Sequence, residues 1–235
     1  SEQIRFGLSY NQQVQWFIHQ IDPLSSSYHV SFSARVMNDF SVDKFDRFMS
    51  IIVNDNPGLR ARFFVDDKPT QEVTTHNTFL TTRAIVTNRS EDEVRLLIKD
   101  AYQQPFDLEN DLLVRAHSFA LNERESILLI VAHHIVCDGW SLWSLLDQLK
   151  SQYLADAAQP SQQATDTNLA SNESGYTSAD FILWQETMLR EPVGEQLWNY
   201  WRDTLSAVND LDQLLALPYD RRPTPVSGGG TNKNG

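Results

Sequence analysis

The stretch Ile127-Leu-Leu-Ile-Val-Ala-His133-His134-Ile-Val-Cys137-Asp138-Gly139-Trp140-Ser141 decides how this chain folds. Six consecutive apolar residues, Ile127 to Ala132, suit a strand buried on both faces. Two histidines end the run, a short Asp-Gly loop follows, and Leu142, Leu145, Leu146 and Leu149 then recur at helical spacing. Neighbouring residues on a strand point to opposite faces. One histidine therefore faces a cavity while the other packs inside. Imidazole titrates near neutral pH and suits proton transfer. Asp138 can orient a partner, Gly139 permits positive φ and close approach of a ligand, and a helix N-terminus just beyond offers N–H groups. A hydrogen-bonded structural histidine is the plainer alternative. Metal ligation by His134, Asp138 and Cys137 is another, but no second cluster supplies the missing ligands. Cys137, alone among apolar neighbours, reads as inert.

Outward from this segment, strands and helices alternate. Ser9 to Gln20 reads as a helix with Val14, Phe17 and Ile18 on one face. Tyr28 to Met37 alternates as a half-buried strand. Ser41 opens a strongly amphipathic helix carrying Phe45, Phe48, Met49, Ile52 and Val53, ended by Pro57-Gly58. Short strands are expected near Arg60–Val65, Gln71–Thr75 and Thr81–Val86. Ser90 and Glu93 form a capping box for a helix through about Gln103. Leu112 to Ala120 reads as a strand and Ser141 to Leu154 as a helix. Asp156 to Gly175, rich in Ala, Gln, Ser, Asn and Thr, reads as a mobile surface loop. Helices near Ser178–Leu189 and Gly194–Val208 follow, then a tail from Pro218 to Gly235 with no core-forming residues. The class is α/β or α+β, a mixed sheet covered by helices.

Composition narrows the function classes. The chain has 235 residues, 41% of them hydrophobic, enough for a real core. Nineteen basic residues against 31 acidic ones, net −12, repel phosphate, so neither nucleic acid nor an anionic membrane is an expected partner. One cysteine and an acidic surface fit a reducing cytoplasm. No apolar run reaches the length of a membrane span.

The segment His133-His134-x-x-x-Asp138-Gly139 resembles the HHxxxDG motif of nonribosomal peptide synthetase condensation domains, within the chloramphenicol-acetyltransferase-like superfamily. Four further landmarks come in that family's order. Ser9-Tyr-Asn-Gln12-Gln-Val-Gln-Trp16 resembles SxAQxRxW, and Leu59-Arg60-Ala-Arg62-Phe63 resembles the end of RHExLRTxF. Asp180-Phe181-x-x-Trp184 resembles the end of YxDFAxW, and Leu217-Pro218-Tyr-Asp220-Arg221 resembles LPxDRP. Val14 stands where the first pattern has arginine, so an ion pair built on that residue is not expected.

The resemblance implies an acyltransferase that joins a carrier-bound acyl or peptidyl thioester to the amine of a carrier-bound aminoacyl acceptor. It makes His134 the active-site histidine, as base or as the group that positions the amine. It makes His133 and Asp138 structural, and places the Gly139 backbone near the substrate. No bound cofactor or metal is implied; substrates arrive on phosphopantetheine arms. Donor and acceptor carrier proteins, adenylation domains and a C-terminal lobe are the implied partners. The family domain has two similar lobes, so residues 1–217 are expected to be the N-terminal lobe, with 156–175 as its surface loop and 218–235 as an extended tail toward a second lobe. Such a lobe alone is expected to be inactive. A stand-alone acyltransferase of the same fold, or a non-catalytic carrier-binding lobe, are the alternatives.

Overall fold

The computed structural model describes residues 4–37, 40–158 and 177–206. Two compact units emerge, Ser1–Gln185 and Glu186–Gly235. In the first, β1 (Ile4–Gly7), β4 (Lys68–Val73) and β3 (Ala61–Asp66) form a three-stranded sheet in the order β1-β4-β3. A four-stranded sheet runs β2 (His29–Met37), β7 (Glu125–His133), β6 (Val114–Asn122), β5 (Thr82–Ile85). It is mixed: β5 and β6 are parallel, the other pairs antiparallel. The predicted apolar strand is thus interior to its sheet, and its register sets His29 directly opposite His133.

Strand β7 feeds two cores, as its unbroken apolar run requires. Leu128, Ile130 and Ala132 pack with Phe45, Phe48, Met49, Ile52 and Val53 of α2 (Val42–Asp55) and with Leu142, Leu145 and Leu149 of α4 (Gly139–Ala158). Leu129 and Val131 face the other way, onto Phe63 of β3, Val94 and Ala101 of α3 (Glu91–Gln103), and Phe106. Ser41 caps α2 and Ser90 closes the expected capping box with Glu93 on α3. A short 3-10 helix, Pro57–Arg60, follows α2. Arg60 there donates to the carbonyls of Val53, Asn54, Thr74 and Thr75, which pins the exit of α2 to the exit of β4.

The structure adds to the sequence reading at two places and corrects it at a third. The first helix, α1 (Tyr10–Ile21), does not bury Val14 and Phe17: these two, with Tyr10 and Ile21, form an exposed stripe, and Trp16 is the residue packed on the core. The helix after the His-His segment runs on to Ala158, so Asp156 is not a loop residue. Its carboxylate takes Lys44 Nζ at 2.7 Å and Arg47 Nη2 at 2.8 Å, tying the end of α4 to α2. Strand β1 has no counterpart among the elements expected from the sequence. The remainder of the expected loop, the LPxDRP-like stretch and the tail lie outside the described residues.

Helix α5 (Ser178–Arg190) carries Phe181 and Trp184, both exposed, and its start is closed by Thr177 and Asp180. In the second unit, α6 (Pro192–Ser206) begins where the chain passes so close to itself that a Cβ on Gly194 would lie 2.1 Å from the Leu189 carbonyl oxygen. No helix among the described residues is long and apolar enough to cross a membrane.

Candidate active site

The two histidines separate as strand geometry demands. His133 is the last residue of β7 and is 3% exposed, whereas His134 is the first residue of the turn and is exposed. His133 faces inward, edge-on to the rings of His19, His29 and Phe106 at centroid distances of 5.9, 6.1 and 6.1 Å. Its Nδ1 accepts from the Ile135 N–H at 3.1 Å, which places its proton on Nε2. Burial, with the positive fields of His19, His29 and His134, depresses its pKa to about 3. A histidine so held is neutral at pH 7 and contributes structure.

His29 and His19 are inner neighbours that no motif in the sequence marks. His29 Nδ1 donates to the Tyr102 carbonyl at 2.7 Å, and burial lowers its pKa. Burial likewise lowers that of His19. Their meeting with His133 depends on the β2–β7 register and on the packing of α1, neither of which a single sequence displays.

The turn itself is anchored on three sides. The His134 N–H donates to the Tyr28 carbonyl at 2.8 Å, and the Tyr28 ring stands edge-on to the His134 ring at 6.5 Å. The Ile135 N–H goes to the His133 ring, and the Ile135 carbonyl accepts from Gln12 Nε2 at 3.3 Å. The His134 side chain is left facing outward.

Asp138 caps α4. Its Oδ1 accepts from the Ser141 N–H at 2.7 Å and from the Ser141 hydroxyl at 2.6 Å, and its carbonyl accepts from Leu142 N–H. These Ser141 bonds, and more weakly the nearby His134, hold its carboxyl below the usual range. Val14, which stands where the resembled opening pattern has arginine, is exposed and forms no ion pair. Gly139 corrects the sequence argument in one respect: its φ is not in the left-handed region. What it leaves is open space, since a Cβ there would meet nothing within 4 Å. Cys137 is buried, and burial followed by the Asp138 charge raises its thiol to about 11. Alkylation of the native chain at pH 8 should therefore run at least about 100-fold slower than after unfolding in urea, because the thiolate is the reactive form. Equal rates in the two states would refute a buried, protonated Cys137. Among the described residues no group of three His, Cys, Asp or Glu side chains is arranged to hold a metal ion.

An exposed imidazole on a rigid turn thus stands beside a capped helix start and an unobstructed glycine. Such a site can accept a proton or hold an amine. Residues 3–229 match a family model described as Condensation domain. A linear gramicidin synthase polypeptide of Brevibacillus parabrevis is 34% identical over 225 residues, covering 93% of this chain and 4% of that protein. Phosphinothricin tripeptide synthetase PhsC of Streptomyces viridochromogenes is 31% identical over 225 residues, covering 93% of this chain and 20% of that protein. The chain thus spans a small part of these relatives. The solved first condensation domain of the calcium-dependent antibiotic synthetase superposes with a TM-score of 0.70 at 18% identity, over 87% of this chain and 48% of that one. The starter condensation domain of rhizomide synthetase RzmA gives 0.70 at 16% identity, over 86% and 48%. The shared fold is the mixed-sheet, helix-covered architecture of the chloramphenicol-acetyltransferase-like class, and this chain matches about half of each.

Proposed function

Because this chain belongs to the condensation-domain family, we propose that it is the N-terminal lobe of an amide-forming domain, residues 1–217, with 218–235 leading toward a second lobe. Its substrates are an acyl or peptidyl thioester and an aminoacyl thioester, each on the phosphopantetheine arm of a carrier protein. Adenylation domains of the same synthetase load those carriers. The acceptor nitrogen bonds to the donor's carbonyl carbon, the C–S bond breaks, and the donor's arm leaves as a thiol once a proton has moved from nitrogen to sulfur.

His134 is the residue for that proton or for holding the amine; the observation that carries this is its outward side chain on a turn fixed from three sides. His133 and Asp138 act by keeping the turn and the start of α4 in place. Open space over Gly139 leaves room for the thioester. Holding amine and thioester together is itself worth up to roughly 7–11 kcal/mol of barrier, and a base about 10²–10⁴-fold more.

The decisive experiment offers carrier-bound donor and acceptor to this chain alone, and then to this chain with a separately supplied C-terminal lobe. Amide is expected only with both, because one lobe leaves His134 on a wet surface where neither reactant is held and water screens its charge. Comparable amide formation by the chain alone would overturn the half-domain reading. No amide from an intact two-lobe domain would overturn the function.

A further inference from the structure

Helix α1 reaches the His134 turn through one side chain. Gln12 is the third residue of α1, and its amide works in both directions. Its Oε1 accepts from the Ser9 N–H at 3.0 Å, one half of the helix's capping box, and from Gln71 Nε2 at 3.0 Å. Its Nε2 donates to the Ile135 carbonyl at 3.3 Å. Gln71, on β4, is 1% exposed, and its Nε2 also donates to the Gly7 carbonyl at 2.8 Å. A continuous run of amide bonds therefore passes from β1 through Gln71 and Gln12 into the turn that carries His134. An amide is required at Gln12, since one end must accept twice while the other donates. Neighbouring bonds in such a chain polarise one another.

We propose that Gln12, seated by Gln71, is a positioning residue for condensation: it registers the His134 turn against the small sheet and helix α1, and so sets where the imidazole stands relative to the reacting amine. This rests on the assignment of His134 above. The other two anchors of the turn, Tyr28 just before β2 and His133 at the end of β7, adjoin the large sheet, so among the described residues Gln12 is the side-chain hydrogen-bond tie that couples the turn to the small sheet.

Two substitutions in the intact two-lobe domain isolate that tie. Gln12→Glu keeps an oxygen for Ser9 and Gln71, and glutamate is the customary residue at this place in a capping box, near the positive end of the helix. It removes only the donor to Ile135 and sets oxygen against oxygen. Gln12→Met removes the whole amide without adding charge. Both should lower kcat by about 10- to 100-fold, the scale of an ångström-level misplacement, with KM for the carrier-bound substrates within about twofold. Gln12→Glu should keep the wild-type melting temperature while Gln12→Met lowers it. Amide hydrogen exchange at Ile135 and Val136 should quicken at least about tenfold in both, with the interior of β7 unchanged. Unchanged exchange at the turn overturns the proposal, as does a wild-type kcat per folded molecule in either variant. If Gln12→Met does not fold, Gln12→Glu decides by the same readings. A wild-type domain that forms no amide removes the function assigned to His134. The exchange readings then still decide whether Gln12 holds the turn.

Discussion

Replacing His134 by alanine in the intact two-lobe domain should slow amide formation by about 10²–10⁴-fold, the usual share of a positioned acid-base group, and leave the melting temperature within a degree or two. The expectation of an undisturbed fold follows from the way the residue is held. Only its backbone is anchored, by the bond to the Tyr28 carbonyl, and its side chain is exposed. Alanine keeps the anchor. His133→Ala should do the opposite. It strips the Ile135 N–H of its acceptor and empties a space packed by three aromatic rings, so unfolding should become easier by several kcal/mol, from an orphaned donor and a cavity together. His134→Gln separates the two roles left open for the imidazole. A pure positioner retains much of its rate with glutamine; a base does not. Were His134→Ala to unfold the protein while His133→Ala did nothing, the two faces would have been assigned the wrong way round.

Acid should unfold this chain earlier than a protein of ordinary histidines. His133 falls from 6.5 in the unfolded chain to about 3 when folded. Above pH 6.5 both states leave it neutral and nothing is lost. Between 6.5 and about 3 the unfolded state binds a proton that the folded state refuses, so stability falls with pH at about 1.36 kcal/mol per unit. From pH 7 to pH 5 that is about 2 kcal/mol from this one residue. His29 and His19, depressed in the same direction, add to it. Urea titrations at pH 7 and pH 5 measure the loss. In His133→Asn, whose side-chain oxygen can still accept from Ile135, about 2 kcal/mol of the pH dependence should vanish. An identical pH dependence in that variant would mean that some other group carries the acid sensitivity.

What a sequence can and cannot show divides here along physical lines. Strand β7 and helices α2 and α4 are legible because their apolar residues recur at strand or helix period over long stretches. Periodicity also groups Val14 and Phe17 correctly on one face of α1, but it says nothing of which way a face points, and this one turns outward. Asp156 resembles a loop residue because its neighbours are small and polar, while its actual role depends on Lys44 and Arg47, more than a hundred residues earlier. His133 and His134 are visible as neighbours. His29, His19 and Gln71 are not, since each joins the site only through strand register or helix packing. Gln12 stands in a recognisable motif, but its reach to Ile135 spans 123 residues.

The alternation of β7 between two cores has a consequence for how this segment can vary in length. The imidazole that stands in solvent and the imidazole that is buried and neutral are one peptide apart, so their identities rest on parity. One residue inserted or deleted between Ile127 and Ala132, with the N-terminal part of the strand held by its pairing to β2 and β6, exchanges the two sides for everything downstream. A deletion would bring His134 to the slot facing His19, His29 and Phe106 and drive His133 into the Ala132 slot of the other core, whereas an insertion would leave Ala132 facing those rings and deliver His133 to water. A change of two residues restores the phase but slides the turn along the strand by nearly 7 Å, at about 3.3–3.4 Å per residue. Substitutions inside β7 are thus a matter of volume, whereas indels there are a matter of sign, and tolerated length changes belong beyond its ends, in the Glu123-Arg124 hairpin.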